Sequence, residues 1–549
     1  MVYACAQSAK SLKLLTPQVL LERLRDRLDT LTARARDVPE RQRTLRATID
    51  WSHRLLSAPE AEAFARLSVF AGGATIEATE KVTGTDLDVL QGLVDKQLLL
   101  RRHGSSGDGR LAMLETVREY ACERLDTNDD AGEIRECHCR HYIALAERGE
   151  RELFTRGEAR WLQRLDDEVD NLRAALDWSL RHSPTLALRL AGLLGRYWGI
   201  RRSLSEALRW LEVALDAAGE IAPAGDRARA RLAQAIVRGL SGSGLSGSSR
   251  REVRDDAQEA LRLYREVDDP YGIAEALCCL SDQEAIDHRL HESHALAEEA
   301  IEYARQTGDE WLVAFAFEHR IPETTAELEE AAARLRKVGD RRHLATHYSN
   351  AAYLAIIDGD YARAASLLAE ALPIAREIND PLGLLIALGN LGLAALFAGD
   401  LAAARARFAE QLRLCRDHAI HDPAPEGMGG LAAVAAREGE FERTARLLGA
   451  AGEQLAGQLG LERDQRQIVA EQVVQIAREA QPLLGDGQLG QFFARRPQRG
   501  VGAQQPADQE PQRAGGEDQA GDGPEHVALG IGQRERGGGE RGDRRDREH

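Results

Sequence analysis

The fold is decided by a stretch in the second half of the chain, residues 359–400, which reads GDYARAASLLAEALPIAREINDPLGLLIALGNLGLAALFAGD. Apolar residues recur at three- and four-residue spacing on both sides of Asn379-Asp380-Pro381, which predicts two helices joined by a turn. The opening turn, Gly359-Asp360-Tyr361, returns every 40 residues as Gly399-Asp400-Leu401 and Gly439-Glu440-Phe441. A helix pair of this size cannot bury its apolar face alone, so the pairs are predicted to stack into a solenoid with a concave surface.

A second set of turns extends this array toward the N-terminus. Most of these turns are also 40 residues apart, with one interval of 31, and they lie at Asp268-Asp269-Pro270, Gly308-Asp309, Gly339-Asp340 and Asn379-Asp380-Pro381. The array is therefore predicted to occupy residues 253–495 as tetratricopeptide-like (TPR-like) helical repeats. We expect a protein or peptide ligand on this solenoid, although the spacing does not identify it.

Length and charge restrict the class of protein. A chain of 549 residues suggests three or four domains. The net charge of −17 lies entirely in residues 126–495, which hold 44 basic and 61 acidic side chains. Such a field does not attract nucleic acid. It is either a solvated helical surface or a docking face for a basic partner.

Targeting signals are not evident in the sequence. We predict no membrane span, on the reading that no run of uncharged apolar residues approaches ~18. The N-terminal residues, MVYACAQSAKSLK, lack the basic and then apolar design of a signal peptide. The seven cysteines are scattered, which is typical of reduced thiols. These features predict a soluble, cytoplasmic, multi-domain protein.

Residues 40–125 form a compact and well-punctuated segment. Ser57 and Glu60 are spaced as a capping box, and Gly72-Gly73 is predicted to end the helix that this box begins. A short helix follows at about residues 76–82, and Asp86 opens the next one.

The same segment ends with the one β signal of the sequence. Two apolar runs flank a Gly/Ser/Asp turn in residues 98–114, which predicts a hairpin, and a last helix is predicted at Glu115–Leu125. Helices followed by a hairpin and a closing helix predict a winged helix-turn-helix domain. The predicted fold class is therefore all-α, with a winged helix carrying a small β-hairpin, a TPR-like solenoid and a disordered tail.

Several stretches closely resemble one known family. They are TLRATIDWSHRLLSAPEAEAFARLSVFAGGATIEATEKV (44–82), LVDKQLLL (93–100), MLETVREYACERL (113–125), DEVDNLRAALDWSL (167–180) and YWGIRRSLSEALRWLEVAL (197–215). They resemble actinobacterial, LuxR/SARP-associated regulators of the STAND (signal-transduction ATPase) type. In that family a P-loop ATPase precedes the winged helix and a TPR-like array follows it. The resemblance implies a transcriptional regulator, covers roughly residues 10–495 and is most specific at 42–125.

The ATPase motif of that family is not found in this sequence. A P-loop ends in Gly-Lys-Ser/Thr, but none of the five lysines, Lys10, Lys13, Lys81, Lys96 and Lys337, follows a glycine. We therefore expect no enzyme activity and no cofactor, unless a partner supplies an ATPase domain in trans. Residues 1–39 resemble a helical segment that leaves the missing ATPase core, and residues 126–252 are read as a helical connecting region.

The winged helix has two possible roles. In the resembled family it packs against the ATPase core as a switch, and Met113-Leu114-Glu115 resembles a Met-His-Asp nucleotide-sensing motif in which Leu114 replaces the histidine. The alternative is DNA binding. The candidate recognition helix, Asp86–Asp95, is acidic, so the candidate DNA contacts are Arg101, Arg102 and Arg110 in the hairpin. We favour the switch.

Three other motifs are read as structural. Gly242-Ser243-Gly244-Leu245-Ser246-Gly247 matches GxGxxG but follows a helix, so it is predicted to be a flexible linker. Cys137-His138-Cys139-Arg140-His141 has poor spacing for zinc and no second ligand pair nearby, and His288, His291 and His294 drift around a helix. We predict no metal site.

The last segment, residues 496–549, breaks with the rest of the chain. Gly, Arg, Gln, Glu, Pro and Asp dominate it, so it cannot bury enough apolar surface to fold and is predicted to be disordered. Such a mixture also arises when GC-rich codons are translated out of frame, and we keep this as a hypothesis. Translation of the gene in its other two frames would refute it if neither frame continues a helical pattern.

Overall fold

The computed structural model describes residues 45–104, 109–240, 247–287, 289–322, 324–418, 420 and 423–458. These residues are mostly helical, with one small sheet, so the predicted all-α fold class is confirmed for them. The predictions for residues 1–39, for the Gly-rich loop at 242–246 and for the tail at 496–549 lie outside the described residues.

The first described unit is the winged helix. Its elements are α1 (Leu45–His53), α2 (Ala58–Arg66), β1 (Ala74–Thr75), α3 (Ile76–Thr83), α4 (Leu87–Asp95), β2 (Leu100–His103), β3 (Gly109–Ala112) and α5 (Glu115–Leu125). The Ser57 amide donates to Glu60 Oε2 at 2.8 Å, and the Val89 amide donates to Asp86 Oδ1 at 3.0 Å. Both predicted helix starts are thus confirmed.

The sheet has one strand more than the sequence predicts. β1 pairs antiparallel with β3, which also pairs with β2, so β3 is the central strand. The prediction that Gly72-Gly73 ends α2 is wrong, because α2 ends at Arg66 and a 3-10 turn, Leu67–Val69, follows it. Gly72 and Gly73 have φ values of +82° and +91° and lead the chain into β1. A Cβ at Gly73 would lie 2.6 Å from the carbonyl oxygen of Leu111 in β3, so the close strand pairing needs a glycine there.

Six helices follow and continue the core of the winged helix. They are α6 (Ala131–Glu152), α7 (Glu158–Asp167), α8 (Val169–His182), α9 (Pro184–Leu193), α10 (Gly195–Arg201) and α11 (Leu204–Ala218). One cluster of buried side chains runs from Ile49 in the winged helix through these helices to Val237. The winged helix is therefore packed onto the helical region through a shared apolar core.

The remaining helices form the repeats. They are α12 (Ala224–Leu240), α13 (Gly247–Glu266), α14 (Pro270–Ile286), α15 (Leu290–Thr307), α16 (Glu310–His319), α17 (Thr325–Val338), α18 (Arg341–Ile357), α19 (Tyr361–Glu377), α20 (Pro381–Ala398), α21 (Leu401–Asp417), α22 (Ala424–Arg437) and α23 (Phe441–Gln458). Each even-numbered helix packs against the next odd-numbered one, and the pairs stack in chain order. The predicted helical-repeat solenoid is confirmed as far as Gln458, whereas residues 459–495 of the predicted array lie outside the described residues and the predicted domain boundaries stay predictions.

The turns between these helices share one local design. A residue with positive φ ends one helix, as at Asp268, Gly308, Gly339, Gly359, Asn379, Gly399 and Gly439. An acidic residue follows it and precedes the next helix, and in five turns its side chain accepts a hydrogen bond from that helix's first amides: Asp269, Asp309, Asp340, Asp360 and Asp400. The left-handed residue reverses the chain, and the acid satisfies amides that have no partner within the helix.

The two layers of the repeat stack are not equivalent. Successive even-numbered helices, from α12 to α22, pack against one another, whereas odd-numbered helices contact mainly the helices of their own and the next pair. The more closely spaced layer lies on the inner side of a curved stack. We call the exposed side of this even-numbered layer the inner face.

The helix α20 corrects a prediction. It is an 18-residue helix with no charged residue, long and apolar enough to cross a membrane, and 44% of it is buried. The reading that no such stretch exists is therefore wrong. However, α20 packs against α18, α19, α21 and α22, and the Asn390 side chain donates to the Ser349 carbonyl oxygen at 3.2 Å. Its apolar composition follows from this position between neighbouring repeats.

We predict that the acidic turn residues are needed for repeat stability. Asp400 Oδ1 accepts a hydrogen bond from the Ala403 amide at 2.9 Å. Replacement of a helix N-cap typically costs about 1 kcal/mol, so Asp400→Ala should lower the free energy of unfolding by that amount. Asp400→Asn keeps an acceptor and should retain most of the stability. Urea titration followed by circular dichroism measures both variants, and an equal loss in both would contradict a capping role.

Candidate functional surfaces

The first candidate surface is the exposed face of α4, the helix that a winged helix presents to DNA. Asp88, Gln91 and Asp95 are exposed on it. Lys96, just beyond its end, forms an ion pair with Glu60, and this contact is the main cause that lowers the Glu60 pKa to about 2. This face is therefore acidic and has its nearest lysine already paired, which is unfavourable for contact with phosphates.

Arg101 and Arg102 occupy the exposed part of the wing, as the sequence predicts. Both side chains lie on β2 and are exposed to solvent. Arg101 Nη2 donates to Gln91 Oε1 at 2.6 Å, so this arginine lies beside α4. For these two residues, contact with DNA stays a prediction.

The third candidate, Arg110, is not on the surface. Its register on β3 places it opposite Arg102, but it is only 8% exposed. Its guanidinium binds both carboxylate oxygens of Glu168 and donates from Nη2 to the Gly73 carbonyl oxygen at 2.8 Å. This buried position opposes the prediction that Arg110 contacts DNA, because the side chain is used in a contact within the chain.

The Glu168 carboxylate is the centre of a buried polar cluster, defined as Gly73, Arg110, Tyr142, Glu168 and Asn171. Tyr142 Oη and Asn171 Nδ2 donate to Glu168 Oε2 at 2.9 and 2.7 Å. Asn171 Nδ2 also donates to the Gly73 carbonyl oxygen at 2.8 Å. Burial is the largest cause that raises the Tyr142 pKa well above its usual value, so this phenol is a donor at neutral pH.

The polar cluster fixes the wing to the helical region. Arg110 comes from the central strand and Gly73 from the turn before β1, whereas Tyr142 is in α6, Asn171 in α8 and Glu168 between α7 and α8. A buried charge that loses its partner is strongly destabilising, so the strand and the two helices are held in one register. A movement of α6 or α8 therefore acts directly on β3.

His138 lies beside this cluster. It belongs to the Cys137–His141 motif, for which the sequence predicts no metal site. Its ring packs between Phe70 and Tyr142, at centroid distances of 5.4 and 4.7 Å, and Nε2 is buried with no hydrogen-bond partner. Burial lowers the His138 pKa to about 3, so the ring is neutral at pH 7. Within the described ranges no group of three potential metal ligands comes together.

The segment that resembles a nucleotide-sensing motif has a structural position. Leu114 stands at the N-cap of α5 and packs against the core of the winged helix, and Arg118 pairs with Glu115 one turn on. A leucine offers no polar atom to a nucleotide. Leu114 therefore has a structural place at the start of α5.

The second candidate surface is the inner face of the repeats, onto which the end of α6 folds. Arg196 of α10 donates to the Glu150 carbonyl oxygen at 3.3 Å, and Arg229 of α12 lies 3.6 Å from the Glu150 carboxylate. Beyond α6, residues 153–158 run over α16 and α18. We call these six residues the turn segment.

The sequence did not predict the residues that fix the wing to the helical region, or those that join the turn segment to α18. Glu168 and Asn171 lie in the quoted stretch 167–180, where a carboxylate and an amide three residues apart border the apolar Leu172 and Leu176. That pattern is a signal of a buried polar pair. Arg342 of α18 binds Glu158 across 184 residues of sequence, and no local pattern predicts this contact.

Comparison with known families agrees with the winged-helix fold that carries the first candidate surface. Residues 56–126 match a family model described as a winged helix-turn-helix domain. A protein of Mycobacterium tuberculosis strain H37Rv, provisionally named an HTH-type transcriptional regulator, is 34% identical over 321 residues. The aligned part is 55% of this chain and 35% of the relative, so the chain spans about a third of that protein.

Two solved structures resemble the chain at 15% identity. A STAND protein with a tetratricopeptide repeat sensor from Pyrococcus horikoshii aligns over 90% of this chain and 69% of its own, with a TM-score of 0.39. A Rap protein in complex with Competence and Sporulation Factor aligns over 63% and 93%, with a TM-score of 0.43. Because both TM-scores are below 0.5, the assignment of helical repeats is based on the helix contacts within this chain.

The class of protein follows from the fold and the sequence relatives together. The chain combines a winged helix-turn-helix domain with a region of helical repeats. It is homologous to mycobacterial proteins that are named as transcriptional regulators.

We predict that Arg110 acts in stability and that Arg101 and Arg102 do not. Arg110→Met leaves Glu168 buried without its cation, which should lower the free energy of unfolding by about 3–5 kcal/mol. Arg101→Ala and Arg102→Ala change exposed side chains and should stay within about 0.5 kcal/mol of the wild type. Urea unfolding measures all three variants.

A matched double variant separates charge from packing at the same site. Arg110→Met with Glu168→Leu removes both ions, and it should recover much of the stability that Arg110→Met loses. If Arg110→Met were as stable as Arg101→Ala, the polar cluster would not hold the wing.

We also predict an acid-sensitive contribution from His138. Because the folded pKa is about 3 and the unfolded value is 6.5, the unfolded state binds the proton first as the pH falls. This stability is complete above pH 6.5 and declines toward pH 3, with a loss of about 2 kcal/mol between pH 7 and 5. His138→Phe keeps a ring against Phe70 and Tyr142. Its unfolding free energy, measured at both pH values, should lack this part of the pH dependence, and an unchanged slope would refute the assignment.

Proposed function

We propose that the chain is a non-catalytic regulatory module of a STAND-type transcriptional regulator, of the actinobacterial LuxR/SARP-associated group. The winged helix acts as the switch, and the inner face of the TPR-like solenoid receives a protein or peptide signal. The module acts on an ATPase domain, which a partner chain can supply in trans. The observation that carries the proposal is the buried polar cluster, because it couples the wing to the helices that reach the inner face.

The coupling follows one continuous path of contacts. Tyr142, near the middle of α6, binds the Glu168 carboxylate that holds Arg110 of β3. The last turn of α6 carries Glu150, which binds Arg196, and Arg196 pairs with Glu275 of α14. A ligand that moves the inner face therefore pulls on the helix that positions the wing. A ligand can shift a switch only through such a difference in contacts.

Hydrogen exchange of two variants, each compared with the wild type, tests the coupling. Glu275→Gln weakens the contact of α14 with Arg196, far from the wing, and should speed amide exchange in β2 and β3. The matched control is Glu299→Gln, which weakens the pair with Arg265 between two odd-numbered helices. Faster exchange in the wing for both variants, or for neither, would contradict a path through the inner face.

DNA binding through the winged helix is the second candidate. The winged helix-turn-helix match and the two exposed arginines of β2 favour it. The acidic face of α4 opposes it.

A salt-titrated gel shift separates the candidates. If the switch proposal holds, the chain binds DNA weakly and without sequence preference, and Arg101→Ala/Arg102→Ala has no more effect than Arg140→Ala/Arg181→Ala. That control removes two exposed arginines elsewhere. Sequence-selective binding that only the β2 pair abolishes, with a steep dependence on salt, would establish the wing as a DNA reader.

A further inference from the structure

The turn segment places an aromatic ring in a slot on the inner face. Phe154 stacks on Trp311 of α16 at 5.6 Å with an interplanar angle of 7°, and its ring meets His343 of α18 edge-on at 4.8 Å. The Arg196 guanidinium lies 5.3 Å from the Phe154 centroid and 4.8 Å from that of Trp311. Three side chains from separate helices therefore form a slot that fits a flat ring.

The repeats supply the aromatic side of the slot, and Arg196 of α10 supplies the cation. Trp311 and Phe315 stack at 5.0 Å on one side of α16, and His343 contacts Phe315 at 4.9 Å. Asp340 fixes two of these rings, since its Oδ2 accepts from Trp311 Nε1 at 2.8 Å and lies 2.6 Å from His343 Nδ1. The slot does not depend on Phe154 for its shape, because these contacts all lie within α16, α18 and the turn between α17 and α18.

Four residues after Phe154, Glu158 of the segment meets a cation of the repeats, Arg342 of α18. Arg342 binds the Glu158 carboxylate and also lies 2.8 Å from Asp380, and all three side chains are at most 14% exposed. Asp380 precedes α20 at the N-cap position but makes no capping hydrogen bond. The arginine is thus held by an acid of the repeats, which leaves a buried binding site for a second carboxylate.

A cavity of about 470 Å³ opens beside the segment, where α17 and α19 lie next to α18. It is lined by Arg156 and by residues of these helices and of the turn between α17 and α18: Leu335, Arg336, Gly339, Asp340, Arg341, Leu344 and Ile374. Arg156 packs so closely on Gly339 that a Cβ there would lie 2.4 Å from its Cγ. A ligand that replaced the segment would therefore gain apolar surface that the segment leaves uncovered.

We propose that the turn segment is a built-in occupant of the partner site, and that the partner is a peptide with an aromatic residue followed four positions later by a carboxylate. This proposal rests on the proposed function, in which the inner face receives a peptide. Phe154 and Glu158 define the chemistry of the partner, because the slot and Arg342 recognise these two groups in the chain itself. Phe154 and Glu158 compete at a high effective concentration, because the buried Leu153 tethers them beside the site, so the partner binds by displacing these two side chains.

The test is the binding of a labelled synthetic peptide, residues 150–161 (ERELFTRGEARW), to two full-length chains. Phe154→Ala/Glu158→Gln empties the slot and frees Arg342, which keeps Asp380 as its partner, so this variant is expected to fold. Fluorescence anisotropy should show at least tenfold tighter binding to this variant than to the wild type. A peptide with alanine in place of its phenylalanine should bind neither chain measurably.

Two further variants keep the proposal falsifiable. Trp311→Ala in the opened chain should abolish peptide binding, whereas Trp178→Ala, a half-buried tryptophan of α8 away from the inner face, should not. If the opened chain has a changed circular dichroism spectrum, Glu158→Gln alone serves as the milder opening. Equal affinities for the wild-type and opened chains would overturn the claim that the segment occupies the site, and a folded opened chain that binds no peptide would overturn the partner chemistry.

These outcomes are distinct from a failure of the proposed function. Displacement of the segment with no change in wing hydrogen exchange would leave the partner site standing and refute the switch. Faster wing exchange after Glu275→Gln, together with no peptide binding, would keep the coupling and remove this partner chemistry.

Discussion

A helix pair in this chain can bury its apolar face only when another pair is stacked against it, and most features of the molecule follow from this constraint. It explains why α20 can lack charge over 18 residues and still belong to the repeats, since helices on several sides cover it. It also explains why the core of the winged helix continues into α6 and beyond without a break. The first helix of the array, α12, needs a surface to pack on, and α9, α10 and α11 of the preceding helical region provide it.

Polar contacts within this continuous core determine register rather than contribute large stability. Glu168 and Arg110 gain little over an apolar pair of equal size, but neither can remain buried without the other. The wing is therefore held in one position relative to α6 and α8. A basic residue on a wing strand can thus be structural, and its sequence position alone does not distinguish it from a DNA contact.

Local chemistry made much of the fold predictable. The glycine or asparagine that reverses the chain and the acid that caps the next helix lie within two residues of each other, so Gly359-Asp360 and Gly399-Asp400 identify turns directly. Contacts between distant residues were not predictable in this way. Arg110 reads as a surface arginine because Glu168 is 58 residues away, and Glu158 reads as an ordinary helix acid because Arg342 is 184 residues away. The strand β1 was missed because two residues give no periodicity.

The two long-range arginine contacts differ in a way that bears on regulation. Arg110 is bound by a carboxylate that also accepts from Tyr142 and Asn171, so every group in the cluster would lose a partner if it opened. Arg342 has a second acid, Asp380, and the rings around Phe154 keep their own contacts without it. Opening the inner face therefore leaves few buried groups unsatisfied, whereas opening the wing cluster leaves several. Under the proposed function, the chain responds first at the inner face and transmits the change through α6, which carries Tyr142 of the polar cluster and leads directly into the turn segment.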